Sequence, residues 1–139
     1  MANPRAFLDS NILIYTDDTC SPAKQTTATR LIEAHLSQRT GVVSIQALQE
    51  YFSVVTGKFR ISPDAAREKV QIFGTLTVFQ PATKDVLAAI DLHRLHQISF
   101  WDALIVRAAS QSGCRTLLTE DMQHGRRIDG VEIVNPFLS

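Results

Sequence analysis

The chain has 139 residues, of which 45% are hydrophobic, enough to bury the core of one domain but too few for two ordinary ones. Its 14 basic and 14 acidic residues balance, which argues against a protein that binds nucleic acid through a broad cationic face. The apolar runs fall far short of the roughly 20 residues that span a bilayer, and no secretory signal is recognisable, so we predict a single cytoplasmic domain, residues 1–139, without membrane contact.

Strand and helix patterns alternate along the chain. The first half predicts a strand at 5–9, a short helix at 10–16, a helix capped by Ser21 and running to Gln38, and a strand at 42–44. Ser44 then caps a helix through Lys58, and Ser62 caps another. The second half predicts a strand at 75–80, a helix capped by Thr83, a helix from Ser99 to about residue 112, and strands at 115–119 and 131–134.

Apolar residues recur at helical spacing in these helices and are predicted to face a core. In the helix after Ser44 they are Ile45, Leu48, Phe52, Val55 and Phe59. The strands are apolar throughout, without a polar face, as expected of a parallel sheet covered by helices on both sides. The sequence therefore predicts an α/β fold, a three-layer α/β/α sandwich around a central, mainly parallel sheet.

Four acids stand where such a fold binds ligands, at the carboxyl ends of its strands. Asp9 and Asp121 each follow a short apolar strand, whereas Glu50 and Asp102 fall near the beginnings of helices. Each has a simpler explanation: Asp9 could cap the helix that follows, Asp121 could belong to a turn, Asp102 could form a capping box with Ser99, and Glu50 could be a solvated surface residue.

Converging acids would repel one another, by about 4 kcal/mol for two charges 4 Å apart at an effective dielectric near 20. Protonation or a cation must offset that repulsion, and an all-oxygen donor set favours Mg²⁺ or Mn²⁺ over zinc. The chemistry this predicts is in-line attack of a metal-activated water on phosphorus. Asn11 and Thr119 are candidates to orient the carboxylates by hydrogen bonds, or else they cap loops.

With these residues the sequence resembles the PIN-domain ribonucleases, and more narrowly the VapC-type toxins of bacterial toxin–antitoxin pairs. The resemblance runs from about residue 5 to 137 and rests on four segments: Phe7 to Tyr15, Ser44 to Glu50, Ile98 to Ile105 and Leu117 to Gly125. Thr119 stands where many relatives carry Ser, which keeps the hydroxyl. Glu120 precedes Asp121, and we choose Asp121 as the last acid because the family pattern places it there.

The resemblance implies a PIN-like sandwich and a Mg²⁺- or Mn²⁺-dependent endoribonuclease site built from Asp9, Glu50, Asp102 and Asp121. It further implies homodimerisation and a small VapB-type antitoxin that blocks the site. Together with the toxin, that antitoxin would bind its own promoter DNA. One or two metal ions, the identity of the RNA and its cleavage site all remain open at this point.

Other chemistry-bearing residues have weaker patterns. Four basic residues are candidates for contacts with an RNA backbone, although solvated surface charge explains them as well: Lys58, Arg60, Arg126 and Arg127. Phe100 and Trp101 could stack on a base, but core or dimer packing is the stronger expectation. His93 and His96 are predicted to be a surface pair, and Cys20 and Cys114 to be buried or idle thiols.

Two other functions compete with the nuclease. An aspartyl phosphatase also places an Asp after its first strand, but it needs a second Asp two positions later, where this chain has Asn11. A non-catalytic module that binds a partner protein would use the same acids only as caps and surface charges. Loss of metal-dependent RNA cleavage on substitution of Asp9 or Asp102 would separate the nuclease from that module.

Overall fold

A computed structural model describes residues 4–138. This part of the chain contains six strands and six helices. In order they are β1 (Arg5–Leu8), α1 (Ser10–Tyr15), α2 (Pro22–Gln38), β2 (Gly41–Ser44), α3 (Ile45–Gly57), α4 (Pro63–Phe73), β3 (Thr77–Phe79), α5 (Thr83–His96), α6 (Phe100–Gln111), β4 (Cys114–Leu118), β5 (Arg127–Ile128) and β6 (Val131–Val134).

The strands form one sheet in the order β3-β2-β1-β4-β6-β5. All neighbouring pairs are parallel except β5 with β6. Strands β1 and β4 are adjacent at the centre, with Phe7 opposite Leu117 and Leu8 opposite Leu118. The two strands therefore end side by side at the carboxyl edge of the sheet.

Successive strand residues point to opposite faces of the sheet and build two separate cores. Leu8 and Leu118 belong to the core that packs with Ile12, Leu13 and residues of α2, α3 and α4. Their neighbours Phe7 and Leu117 belong to the core on the other face, which α6 covers. This arrangement confirms the predicted three-layer sandwich with a mainly parallel sheet.

The close packing of α2 against the sheet explains the glycine at the start of β2. A Cβ atom at Gly41 would lie 2.9 Å from Leu76 Cδ2 and 3.0 Å from His35 Cβ. Any larger residue would push the helix or the segment before β3 away from the strand.

Most predicted elements are confirmed, and three of the predicted helix caps form. The hydroxyl groups of Ser44, Ser62 and Ser99 each accept a hydrogen bond from the backbone N–H three residues later. Strand β3 is shorter than predicted, and the two-residue β5, whose Arg127 and Ile128 pair with the edge of β6, has no counterpart in the prediction.

Two predicted caps are wrong. Ser21 precedes α2 with φ −126° and ψ 68° and makes no side-chain cap, because this backbone is not the extended conformation that directs a cap hydroxyl towards the helix. Helix α5 is capped at Ala82 rather than Thr83, which is its first helical residue. The carboxylate of Asp85 instead accepts a hydrogen bond from the Ala82 N–H at 2.8 Å.

The predicted inward face of α3 is wrong at two positions. Ile45 and Phe52 are 37% and 39% exposed, and Tyr51, absent from that prediction, is fully buried. The Tyr51 hydroxyl donates a hydrogen bond to Asp17, which gives the buried phenol a partner. Burial and this carboxylate raise the pKa of Tyr51 well above its usual value.

Within residues 4–138, no helix combines the length and the apolar character needed to cross a membrane. Of the two thiols, Cys114 is buried and Cys20 is exposed. His93, predicted to be part of a surface pair, is exposed and bonds through Nδ1 to the Ile98 carbonyl at 2.5 Å, closing the turn between α5 and α6.

Candidate active site

The centre of the site is the point where β1 and β4 leave the sheet. The Asp9 N–H donates to the Leu118 carbonyl at 3.1 Å, and the Thr119 N–H donates to the Val134 carbonyl at 3.1 Å. The sheet pairing thus continues one residue past both strands. It places Asp9 next to Thr119 at the carboxyl edge, where parallel sheets bind their ligands.

The Asp9 carboxylate is buried, with only 8% of the residue exposed, and each of its oxygens accepts hydrogen bonds. Oδ1 accepts from the Ser10 N–H at 2.7 Å, so Asp9 also caps α1, as one of the simpler explanations predicted. Oδ2 accepts from the Thr119 hydroxyl at 2.8 Å and from Asn11 Nδ2 at 3.4 Å. These donors fix the orientation of the carboxylate.

Burial raises the pKa of Asp9 to about 6, although the hydrogen bonds from Thr119 and Ser10 act against the shift. The negative charges of Asp121 and Glu50 raise it further. Two of the other predicted acids are therefore close enough for their charges to act on Asp9.

Asn11 connects Asp9 to Asp121. Its amide Nδ2 lies 3.1 Å from Asp121 Oδ2 and 3.2 Å from Thr119 Oγ1, in addition to its contact with Asp9. The Asp121 N–H donates to Thr119 Oγ1 at 3.1 Å. The Thr119 hydroxyl therefore bonds to residues of both segments that follow β1 and β4. These bonds keep Asp9 and Asp121 at the same carboxyl edge of the sheet, which we call the rim.

Glu120 points away from this rim. Its Oε2 lies 2.5 Å from Lys24 Nζ, and its Oε1 accepts a hydrogen bond from the Tyr15 hydroxyl at 2.5 Å. Burial disfavours the ionised form, but these hydrogen bonds and the Lys24 charge outweigh it and hold the pKa of Glu120 below its usual value. Glu120 is therefore committed to an ion pair on the α2 side, which leaves Asp121 as the acid at the rim.

Asp9 and Glu50 line an open cleft of about 300 Å³ together with Ser44, Gln46 and Ala47 from the start of α3 and with Trp101 and Ile105 from α6. Glu50 is exposed, and Gln46 Nε2 donates to its Oε1 at 3.0 Å across one helical turn. The cleft is thus walled by α3 on one side and α6 on the other.

Asp102 lies in the first turn of α6 between the two cleft residues Trp101 and Ile105. Its N–H donates to the Ser99 hydroxyl at 3.0 Å, which is the first half of the capping box. In residues 4–138 its carboxylate shows neither the reciprocal hydrogen bond to Ser99 nor a contact with the other three acids. The structure therefore places Glu50 and Asp121 within electrostatic reach of Asp9, whereas Asp102 is a neighbour in sequence of the cleft residue Trp101.

The donor set suits a hard divalent cation. Asp9, Glu50 and Asp121 offer only oxygen atoms, and none of the residues described as lining the cleft is basic. A cation there would offset the repulsion that raises the pKa of Asp9. Among residues 4–138, however, no three His, Cys, Asp or Glu side chains converge as a ready-made metal site, so the acids are spaced more widely than bound ligands would be.

None of the four predicted basic residues lines the cleft. Lys58 follows the last turn of α3, whereas the cleft is formed by the first turns of that helix, and Arg60 lies two residues further on. Arg126 donates to the His96 carbonyl at 2.9 Å, and Arg127 on β5 lies 3.9 Å from Glu132. The structure does not group these four residues with the acids.

Three residues that hold the site were absent from the prediction. Lys24 and Tyr15 fix Glu120, and Gln46 orients Glu50. The spacing of Gln46 and Glu50, four residues apart on one helix, could have indicated their contact. Lys24 and Glu120 are 96 residues apart, and nothing local in the sequence indicates that pair.

Comparisons with known proteins agree with this fold. The PIN domain family profile matches residues 6–129. A search of curated proteins finds no significant match. A chain of a toxin–antitoxin complex from Klebsiella pneumoniae aligns with a TM-score of 0.69 at 20% identity, over 94% of this chain and 97% of that chain. VapBC2 from Rickettsia felis, bound to a DNA fragment from its promoter, aligns with a TM-score of 0.63 at 20% identity, over 92% of this chain and 96% of that chain.

Proposed function

The chain belongs to the PIN-domain family, and on that premise we propose that it is a Mg²⁺-dependent endoribonuclease and the toxin of a toxin–antitoxin pair. PIN domains are in general nucleases, so a hydrolase acting on nucleic acid is the broader expectation. The narrower statements, that the substrate is RNA and the cation Mg²⁺ or Mn²⁺, are our proposal.

One observation carries this proposal. The buried carboxylate of Asp9 lies beside Asp121 and under the influence of Glu50, and no basic residue lines the cleft in the described part of the chain. A protein module that used these acids only as caps and surface charges would have no reason to bury one of them among the others. A site for a hard cation and a phosphate group does require that arrangement.

The residues of the chain have distinct parts in such a reaction. Asp9, Asp121 and Glu50 would hold the cation, with Asp102 as the fourth acid at the opposite wall of the cleft. A bound Mg²⁺ or Mn²⁺ would supply charge stabilisation at the phosphate and lower the pKa of an attacking water. Thr119, Asn11 and the Ser10 N–H keep the Asp9 carboxylate in one orientation, which limits the reorganisation needed during the reaction.

The partners follow from the same family membership and from the two similar complexes. We propose a small VapB-type antitoxin that blocks the cleft, promoter DNA bound only through the toxin–antitoxin complex, and a homodimeric toxin. Lys58 and Arg60 lie beyond the far end of α3, so they would contact RNA only away from the scissile bond. Arg126 and Arg127 would likewise act at the β5 edge.

Cleavage of RNA by the purified protein tests the proposal. Incubation of total RNA with 5 to 10 mM Mg²⁺, followed by mapping of new 5′ ends, should reveal discrete cuts that EDTA abolishes and Mn²⁺ supports. Asp9→Asn and Asp102→Asn should each abolish them, whereas Asp91→Asn, an exposed acid on α5, should leave them unchanged.

Two results of this experiment would contradict the proposed nuclease. An absence of Mg²⁺-dependent cuts across a broad RNA panel would favour the non-catalytic binding module. Hydrolysis of phosphate monoesters instead of RNA would favour the phosphatase, which the Asn11 amide argues against, since it donates hydrogen bonds where that enzyme class needs an acid.

A further inference from the structure

A second cavity of about 390 Å³ opens directly beside the acidic cleft. The two share four lining residues: Ser44, Gln46, Trp101 and Ile105. The other walls of the second cavity are mainly apolar and include Phe79, Pro81 and Leu104. A ligand that placed a charged group among the acids would therefore extend its neighbouring part into an apolar space.

Trp101 forms the boundary between the two cavities and is 64% exposed. It does not belong to either core, so of the two kinds of packing predicted for this residue the core is excluded and the dimer interface stays a prediction. The ring of Phe100 meets it edge to face, with centroids 5.4 Å apart and an interplanar angle of 66°. The Trp101 ring is thus in contact with Phe100 while most of its surface is exposed to solvent.

Polar groups are few in the second cavity and stand at the start of α3. Gln46 bonds to Glu50, and Ser44 accepts from the Ala47 N–H, so both are already oriented. The side-chain amide of Gln49 also lines the cavity and has no hydrogen-bond partner within residues 4–138. An apolar pocket with an open tryptophan and a free amide matches a flat heterocycle that has hydrogen-bonding edges.

We propose that this second cavity binds the nucleobase next to the scissile phosphate of a single-stranded RNA, with the base stacked on Trp101 and its edge facing the Gln49 amide. The inference rests on the proposed function, because the acidic cleft supplies the phosphate position. Single-stranded RNA is the form whose bases can leave their stack and lie on an aromatic side chain. The cavity then contributes to the choice of cleavage site.

Trp101 is the only tryptophan of the chain, so the intrinsic tryptophan fluorescence of the protein reports on this one ring and on the two cavities that it borders. The measurement uses the full-length Asp102→Asn variant with Mg²⁺, because this variant should not cleave RNA and keeps the three acids that would hold a cation at the phosphate. Titration with a single-stranded RNA oligonucleotide should quench the emission as bases stack on the ring. An oligonucleotide of equal length and charge with abasic sites should leave the emission unchanged.

Substitutions then connect the cavity to catalysis. Trp101→Ala should raise KM for a cleavable RNA by roughly 5- to 150-fold, the usual contribution of one stacked base. Trp101→Phe should restore most of the loss, because a ring remains. Leu95→Ala, at an exposed apolar residue of α5 outside the cavity, should leave KM unchanged.

Three results would overturn the inference. The first is equal quenching by the abasic oligonucleotide, and the second is unchanged KM in Trp101→Ala while the wild-type protein cleaves RNA. The third is emission that depends on protein concentration, with Trp101→Ala converting a dimer into a monomer, because a second copy would then cover the cavity. Base-dependent quenching without any cleavage by the wild type would support base binding and refute the proposed nuclease instead.

Discussion

Asp9 combines two roles that conflict energetically. It caps α1 through the Ser10 N–H, and it is the buried acid of the cleft, where burial, Asp121 and Glu50 all oppose its charge. A cap needs only an oxygen atom, whereas the cleft needs an ionised carboxylate. Asn would serve the cap equally well, so the acid at this position reflects the cleft and not the helix.

The effect of Asp9→Asn on the free energy of unfolding tests whether the buried carboxylate destabilises the metal-free fold. In the folded protein the pKa of Asp9 is raised from 3.8 to about 6, so the folded state holds a proton that the unfolded state loses. Stability of the metal-free wild type should therefore fall as pH rises from about 4 to 6, and Asp9→Asn should be more stable at pH 7.5 by about 1 to 3 kcal/mol. Urea denaturation in EDTA between pH 4 and 7.5 measures the pH dependence of the wild-type stability and the stability difference of the variant. Asp91→Asn should keep the wild-type pH dependence, and an equal slope in Asp9→Asn would contradict the pKa assignment.

Thr119→Val removes the hydroxyl that links the two strand ends. This buried group donates to Asp9 and accepts from Asp121 and Asn11, so its loss should destabilise the protein by about 1 to 3 kcal/mol at pH 7.5. Thr119→Ser, which keeps the hydroxyl, should cost only the lost methyl group, about 1 kcal/mol. Thermal or urea unfolding of both variants decides the matter. Equal losses of stability in Thr119→Val and Thr119→Ser would mean that Thr119 stabilises the protein by packing and not by its hydrogen bonds.

The residues of the candidate site were easier to propose from the sequence than their arrangement. The hydrogen bonds of Asn11 and Thr119 involve residues at two strand ends, and strand ends can be placed from apolar runs and the acids that follow them. The commitment of Glu120 to Lys24 depends on where α2 packs, and the separation of Asp102 from the other acids depends on how α6 is oriented. Both depend on how helices pack in the tertiary structure, which no local sequence pattern indicates.

At the scale of elements, helix starts were predicted correctly where a serine has both the extended backbone and the hydroxyl that a cap needs. Ser44, Ser62 and Ser99 have extended backbones and form their caps, whereas Ser21 has the right residue type on the wrong backbone. Periodicity alone also misassigned α3, because Ile45 lines the second cavity and Phe52 lines a separate cavity between α3 and Val70 of α4. An apolar stripe predicts a face but does not say whether a neighbouring element covers it.

Within residues 4–138, one ion pair joins helix α2 to the segment that follows β4. Lys24 holds Glu120, whose neighbour Asp121 lies at the rim, so Lys24→Met should leave that carboxylate with only the Tyr15 hydroxyl and loosen the segment after β4. We expect the affinity of the site for Mn²⁺ to fall by about tenfold, as for residues that orient ligands indirectly, with little change in melting temperature. Calorimetric titration with Mn²⁺ measures the affinity.

Two further variants make the Lys24 prediction specific. Lys24→Arg keeps a cation for Glu120 and should retain most of the affinity. Combining Lys24→Met with Glu120→Gln removes the unpaired charge and should recover part of the loss. Unchanged Mn²⁺ affinity in Lys24→Met would show that the ion pair only joins α2 to the loop.

At the scale of the whole molecule, the strand order decides which acids meet. With β1 and β4 adjacent at the centre of the sheet, residues 110 positions apart become neighbours, and the helices that follow β2 and precede β4 supply the two walls of the cleft. Apolar strands and intervening helices predict a parallel sheet but not its order. The position of β4 between β1 and β6 was therefore beyond what the residues alone could give.

Metal binding should couple to the stability of the whole fold through Asp9. A cation that binds only the folded state raises the melting temperature, by roughly 5 to 10 °C at a hundred times its dissociation constant for a chain of this size. Because the pKa of Asp9 is about 6, protons should weaken cation binding roughly tenfold at pH 5, so the rise in melting temperature expected at pH 7.5 should fall to about half. Differential scanning fluorimetry with Mg²⁺ or Mn²⁺ at both pH values measures this, with Asp9→Asn as the control that shows no rise at either. A rise of equal size at pH 5 and pH 7.5 would place the cation away from Asp9.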